Sequence, residues 1–381
     1  MKKLAILGCT GSIGLQTLDI VRRNPDKFKV EAVTAHTDII SLQKIVEEFR
    51  PSIVGITNEN YAKNFNTCYP CSVVAGKDAL VECASSSLVD TVVCAVVGMA
   101  GLDGVVSAIQ AKKRVALANK ESLVCAGEYI TELARINNVN ILPVDSEHSA
   151  VWQCLTAGKS EDVEQIILTA SGGPFFSYNN ISDFDGITVE QAITHPNWKM
   201  GKKISVDSAT MMNKGLELIE ARWLFDCNNV DYIIHPQSII HSMVKYKDGA
   251  IIAQLSNPTM ELPIQLALTY PDRIPTATPD FVFDKNLTFF QPKEDLFYLP
   301  KLAKDSIKQG KSAPCVLNCA NEKAVELFLS RKIGFVDIQK LVKSIYEKTE
   351  YFKINSVSDV KNIFDEITAK TAMDYKNILR I

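Results

Sequence analysis

Asp145 and Glu147 stand one residue apart in Pro143-Val144-Asp145-Ser146-Glu147-His148-Ser149, directly after the apolar pair Ile141 and Leu142. Read as the end of a short strand, this stretch turns residues i and i+2 to one side. Both carboxylates then aim at one point, and like-charged oxygens at one point require a cation. A hard divalent ion such as Mg²⁺ or Mn²⁺ takes such ligands. The spacing alone is equally that of a solvated acidic loop, so the rest of the chain has to decide.

A second group lies in Ser205-Val206-Asp207-Ser208-Ala209-Thr210-Met211-Met212-Asn213-Lys214-Gly215-Leu216-Glu217. From 209 onward it reads as a helix running to about 225. Asn213 and Glu217 stand at i, i+4 and Lys214 and Glu217 at i, i+3, so the three share a face. Ser208 is expected at the helix N-terminus, as a cap or an anion contact. An ordinary amphipathic helix with an exposed Lys–Glu pair has the same spacing. Just upstream, Thr194-His195-Pro196-Asn197-Trp198-Lys199-Met200-Gly201 places a Trp and a Met in a loop, which suits either a closing lid or a loop packed on the core. Ala170-Ser171-Gly172-Gly173-Pro174 is a tight turn whose N–H and hydroxyl groups could serve a ligand.

The third group is Gly8-Cys9-Thr10-Gly11-Ser12-Ile13-Gly14, a G-x-x-G-x-x-G run between an apolar strand at 3–7 and a helical pattern at 12–23. Glycines permit a tight turn and close approach of backbone N–H groups to a pyrophosphate. The helix start would face the phosphates.

These groups need elements to hold them. Apolar runs at 30–33, 53–56, 73–75, 91–97, 115–118 and 140–144 alternate with helical patterns at 41–49, 78–85, 102–112 and 121–137. Such alternation predicts an α/β fold with a doubly wound, Rossmann-like parallel sheet, whose ligands sit at the carboxyl ends of strands. Asn119-Lys120-Glu121 and Asp145-Ser146-Glu147 both follow strands. The second strand leads into His36-Thr37-Asp38 with no carboxylate at its end, which favours NADP over NAD. From about 150 the pattern becomes mixed α+β, with a hairpin at 239–246 and 250–255. A proline-punctuated linker at 283–300 precedes helical segments at 312–329, 336–349 and 358–379, expected to form a small bundle. The expected domains are 1–149 for NADP, 150–282 for catalysis, metal and dimerisation, and 301–381 for the helical bundle, after the linker.

Composition narrows the classes. The chain has 381 residues, 46% hydrophobic and 22% charged, with a formal net charge of −3. No basic field favours nucleic acid or an anionic membrane. The longest apolar stretch, 92–102, is too short to span a bilayer. The N-terminal apolar run stops at Gly8, too early for a signal peptide, so a cytoplasmic protein is expected. The 10 cysteines are scattered, as free thiols in a reducing compartment are. Cys68-x-x-Cys71 and Cys315-x-x-x-Cys319 are the close pairs, and each lacks an obvious second half of a zinc site.

Together G-x-x-G-S-I-G, L-A-N-K-E-S, V-D-S-E-H-S-A, A-S-G-G-P-F, H-P-x-W-x-M-G, D-S-A-T-M-M-N-K-G-L-E and I-H-P-Q-S closely resemble the 1-deoxy-D-xylulose 5-phosphate reductoisomerase family along the whole chain. The resemblance implies conversion of 1-deoxyxylulose 5-phosphate to 2-C-methylerythritol 4-phosphate on the non-mevalonate route to isoprenoids. It implies NADPH, a divalent metal (Mn²⁺ or Mg²⁺, with Co²⁺ a further candidate) and a homodimer. It implies metal ligands at Asp145, Glu147 and Glu217, and phosphate contacts at Ser171, Ser208, Asn213 and Lys214. Lys120, Ser146 and His195 match substrate-contacting positions, Lys120 being the catalytic candidate beside the carboxylates, and Trp198 with Met200 matches the closing loop. Cofactor contacts map onto Thr10, Gly11, Ser12, Ile13, His36, Thr37, Asp38, Asn119, Glu121 and Gly201. At His36-Thr37-Asp38 the chain departs from the Gly, then Lys or Arg, then Asn that the family often has. An open strand of the 239–255 hairpin is the expected dimer surface. Two other functions fit parts of the pattern: a metal-independent dehydrogenase, and an NADP-binding regulator with no turnover.

Overall fold

Leu4, Ala5, Ile6 and Leu7 are fully buried. A run without polar alternation belongs in a parallel strand covered on both faces, and it forms β1 (Lys2–Leu7) at the middle of a sheet. The computed structural model describes residues 1–194 and 201–379. From β1 the chain alternates through α1 (Ser12–Arg23), β2 (Phe28–Ala35), α2 (Ile39–Phe49), β3 (Ile53–Ile56), α3 (Glu59–Ala62), β4 (Ser72–Ala75), α4 (Ala79–Ser85), β5 (Thr91–Cys94), α5 (Leu102–Gln110), β6 (Arg114–Leu117), α6 (Lys120–Asn137), β7 (Ile141–Pro143) and α7 (Ser146–Cys154). The seven strands lie in the order β4-β3-β2-β1-β5-β6-β7, and their pairings are parallel. The direction of winding reverses beside β1, which places the glycine loop at the switch point where such sheets bind ligands.

The sheet belongs to a compact unit built from Met1–Ser122, Ile130–Ser149 and Thr259–Asp280. The last piece carries α11 (Glu261–Thr269) and packs against α1, β6 and β7. Lys2 Nζ donates to the carbonyls of Leu268 (2.8 Å) and Tyr270 (3.0 Å), and Arg114 to that of Tyr270 at 2.9 Å. The compact unit therefore includes 259–280, a stretch that the division by role expected from the sequence places with 150–282.

The second unit comprises Leu123–Tyr129, Ala150–Pro258 and Phe281–Ile381. Its sheet runs β11-β10-β8-β9, from β8 (Val163–Ala170), β9 (Val230–Ile234), β10 (Ile240–Tyr246) and β11 (Ile251–Leu255). The β10–β11 hairpin stands as expected, turning at Gly249 with φ +88. Helices α8 (Val189–Ala192), α9 (Lys202–Ala209) and α10 (Met212–Phe225) lie between β8 and β9 in sequence. The C-terminal bundle holds α12 (Leu299–Gln309), α13 (Ala313–Leu329), α14 (Phe335–Glu347) and α15 (Val357–Leu379). Among them α12 is additional to the sequence reading. It opens with Pro at its first turn, where the missing N–H costs nothing, so the prolines that resemble linker punctuation in sequence include a helix start.

Two local expectations are corrected. Asp145 and Glu147 are not on an extended segment: β7 ends at Pro143 and α7 begins at Ser146. Ser208 does not open a helix. It lies in the last turn of α9, and Met211, at φ +62, separates α9 from α10. No helix among the described residues is long and apolar enough to cross a membrane.

Candidate active site

The glycine loop is shaped by close contacts that only glycine permits. A Cβ on Gly14 would stand 2.3 Å from the Gly8 carbonyl oxygen and 2.6 Å from Cys9 Cα. Gly8 itself has φ +84, a conformation that strains other residues. Thr34, at the end of β2, accepts from Gly8 N through its hydroxyl (3.0 Å) and from Cys9 N through its carbonyl (2.9 Å). The loop is thus clamped to the neighbouring strand while Gly11 and Ser12 stay exposed at the start of α1. The Cys9 thiol is pushed up by burial and is a packing group, not a nucleophile.

One strand over, His36, Thr37 and Asp38 are exposed after β2. His36 Nδ1 pairs with the Thr57 hydroxyl at 2.8 Å. Asp38 caps α2 by accepting from Ser41 N at 3.0 Å, so its carboxylate has structural work at the helix end.

After β6, Asn119 is a buried hub. Its Nδ2 donates to the carbonyls of Val96 and Gly98, both at 2.8 Å, and to Glu121 Oε2 at 3.1 Å, and its Oδ1 accepts from Ser122. This fixes the first turn of α6, where Lys120 begins the helix with its side chain 9% exposed. Lys120 Nζ meets Asp145 Oδ2 at 2.7 Å. Ser146 Oγ donates to Glu147 Oε2 at 2.5 Å. His148, fully buried, puts Nδ1 4.0 Å from Asp145 Oδ2. His148 is not among the residues the sequence singled out. Its spacing of three from Asp145 would have signalled it had the segment been read as a helix.

In the second unit the expected face of α10 forms. Asn213 Nδ2 and Lys214 Nζ donate to the two oxygens of Glu217, and Lys214 and Glu217 are buried. The turn after β8 comes to the same neighbourhood: Gly172 and Gly173 have φ +90 and +68, and a Cβ on Gly173 would lie 2.5 Å from the Ser208 carbonyl. The turn thereby packs against the end of α9 at Ser208. Buried Asp207 pairs with Lys203 Nζ at 2.8 Å and accepts from Asn321 Nδ2 of α13 at 2.7 Å. That link anchors α9 beside Ser208, and the sequence offered no sign of it. Gly201 precedes α9 as its N-cap residue. His195, Trp198 and Met200 lie outside the described residues.

A glycine-clamped loop at the switch point of a parallel sheet, with a lysine and carboxylates after the next strands, defines a nicotinamide-nucleotide-dependent oxidoreductase. Family models sharpen this. The model for 1-deoxy-D-xylulose 5-phosphate reductoisomerase matches residues 4–127, that for its C-terminal domain 141–225, and that for the DXP reductoisomerase C-terminal domain 255–370. The chain is 47% identical over 367 residues to the 1-deoxy-D-xylulose 5-phosphate reductoisomerase of Geotalea uraniireducens, covering 94% of this chain and 95% of that one. With the Clostridium perfringens enzyme it shares 46% over 376 residues, 96% and 98% of the two chains. Among solved structures, DOX-P reductoisomerase in complex with NADPH, fosmidomycin and magnesium is similar at TM-score 0.92 and 38% identity, over 99% of this chain and 98% of that one. The Zymomonas mobilis enzyme in complex with NADPH is similar at TM-score 0.92 and 40% identity, over 98% and 99%. The chain belongs to the 1-deoxy-D-xylulose 5-phosphate reductoisomerase family.

Proposed function

We propose that the protein converts 1-deoxy-D-xylulose 5-phosphate to 2-C-methyl-D-erythritol 4-phosphate, with NADPH as reductant and a divalent metal, Mg²⁺ or Mn²⁺. The observation that carries this reading is the pairing of Lys120 with Asp145 at 2.7 Å after the strands of a dinucleotide-binding sheet. Solved relatives hold NADPH, magnesium and a phosphonate at their own sites. The residues here suit such groups. The glycine cradle has no room for a Cβ at Gly14, and the acidic donors are hard oxygens of the kind these ions prefer.

In the proposed assignment Asp145, Glu147 and Glu217 hold the metal. The ion would supply Lewis acidity toward neighbouring substrate oxygens while the carbon skeleton is cleaved and rejoined. Lys120 sets a positive charge beside Asp145 and is placed to move a proton to or from a substrate hydroxyl. Ser146 orients Glu147. Ser171, Ser208, Asn213 and Lys214 hold the phosphate, whose remote binding energy helps position both fragments, worth roughly 7–11 kcal/mol in favourable cases. His195, Trp198 and Met200 are assigned to the substrate and the closing loop by resemblance. Thr10, Gly11, Ser12, Ile13, Asn119, Glu121 and Gly201 are assigned to NADPH, with His36, Thr37 and Asp38 at its 2′-phosphate. By role, 1–149 is the cofactor domain, 150–282 the catalytic and dimerisation domain and 301–381 the helical domain. A cytoplasmic homodimer is proposed, paired through the edge strand β11, where Ile251 and Ile252 are 52% and 38% exposed.

The test is NADPH oxidation by the purified protein with deoxyxylulose phosphate, with and without Mn²⁺. Metal-dependent oxidation coupled to the branched tetrol phosphate is expected. Oxidation without metal would favour a simple dehydrogenase, and binding of NADPH with no turnover a regulator.

A further inference from the structure

Beside Gly172 the second unit holds a cavity of about 220 Å³. None of the described residues that line it is assigned above to substrate, metal or NADPH. Its apolar walls come from Phe176, Met211, Ile234, Phe290 and Phe297. Met211, Ile234 and Phe297 are buried, and the Phe176 and Phe290 rings approach to 6.2 Å between centroids. Gly172 closes the wall: a Cβ there would stand 2.7 Å from Phe176 Cβ and 3.1 Å from Ile234 Cγ2. Ser177 and Gln291 also line the cavity and are exposed, so it opens to solvent.

The polar groups along the walls restrict what fits. Ile234 and Phe290 satisfy their backbones by pairing, N–H to carbonyl, at 3.0 and 2.9 Å. The Lys293 ammonium has three N–H groups. All three are spent, on the carbonyls of Phe176 (3.0 Å) and Tyr178 (2.7 Å) and on Asn179 Oδ1 (2.9 Å). Lys293 therefore has no donor left for an anion, and an unpaired charge in an apolar cavity is costly. Tyr232 is the exception. It lines the cavity at 4% exposure, and its hydroxyl has no hydrogen-bond partner among the described residues. A buried phenol usually finds one. Burial holds this hydroxyl protonated, so it can donate. As to size, an apolar cavity of about 150 Å³ takes up benzene, so one substituted ring fits here.

We propose that this cavity binds one small, neutral, single-ring molecule whose one acceptor oxygen takes the Tyr232 O–H. The test uses the full chain with acetophenone as probe, ethylbenzene as its oxygen-free analogue and phenylacetate as its anionic one. In NMR spectra of protein labelled at its 8 methionine methyl groups, acetophenone should shift the Met211 signal saturably. That signal is identified by its loss in Met211→Leu. Phenylacetate should leave it in place. Tyr232→Phe keeps the ring and removes the hydroxyl. It should weaken acetophenone by about 2–10-fold, the scale of one net hydrogen bond, without weakening ethylbenzene. Crystals of the unaltered protein soaked with acetophenone locate the probe without any variant, so a variant that fails to fold leaves the proposal decidable. No shift up to the solubility limit, a probe seated at the proposed active site instead, binding of phenylacetate as tight as that of acetophenone, or an acetophenone affinity untouched by Tyr232→Phe would overturn it.

Discussion

Asp145 faces two demands: it pairs with the Lys120 ammonium at 2.7 Å, and it is assigned as a metal ligand. Asparagine keeps the shape and removes the charge that both partners read. Asp145→Asn should lower turnover by roughly 10²–10³-fold, the scale of losing one preorganised electrostatic contact. NADPH binding should stay nearly unchanged in a fluorescence titration. The free Mn²⁺ signal in electron paramagnetic resonance gives a second readout, since uptake should weaken along with turnover. At the cofactor turn, Thr37 is exposed. Thr37→Arg should tighten NADPH while leaving NADH as it was, because a guanidinium grips a phosphate in bidentate fashion. Equal dissociation constants before and after would place the 2′-phosphate elsewhere. At this scale, residue types were more legible than geometry. Helical spacing gave the Asn213, Lys214 and Glu217 face directly, because the 3.6 period fixes which side chains meet. The acidic residues at 145 and 147 have the sequence spacing of strand neighbours, since a three-residue strand is too short to show its period before the helix takes over. Met211 was opaque for a different reason: a left-handed bend at a non-glycine residue leaves no mark in composition.

The glycine loop is the element whose role can be tested by shape alone. Gly14→Ala puts a methyl 2.3 Å from a backbone oxygen, which no side-chain rotation relieves. A destabilisation of about 1–3 kcal/mol is expected from such overpacking, visible as a lower midpoint in urea. NADPH affinity should fall with it, since the start of α1 must move. Gly249→Ala serves as a contrast: a Cβ there meets nothing within 4 Å, although its φ of +88 still carries a backbone cost. It should cost stability without touching cofactor binding. The strand–helix alternation of the first sheet was legible because each strand is a short apolar run bounded by turn residues. α12 was not, because its proline signals a break when seen in sequence and a first turn when seen in place.

At the scale of the molecule, β11 ends its sheet with one edge unpaired among the described residues and apolar side chains exposed. Such an edge invites pairing with another strand. Ile252→Lys should therefore shift the protein toward monomer in light scattering, and an unchanged mass would move the dimer surface away from the hairpin. The sequence located this hairpin, because its turn residues and flanking apolar runs are local. The long-range return of 259–280 to the first sheet was beyond it, since no periodicity records which distant surface a helix covers.

That return has a bearing on synthesis. Helix α11 packs on α1, β6 and β7, yet about a hundred residues separate it from the rest of its unit, on the order of ten seconds of translation. Until α11 leaves the ribosome, the nascent sheet has an uncovered apolar flank. A fragment ending at 149 should be recovered mainly in the pellet, and one with 259–280 rejoined through a flexible linker should regain solubility. Equal yields from the two would mean that the flank needs no cover, and that a chaperone has no cause to wait there.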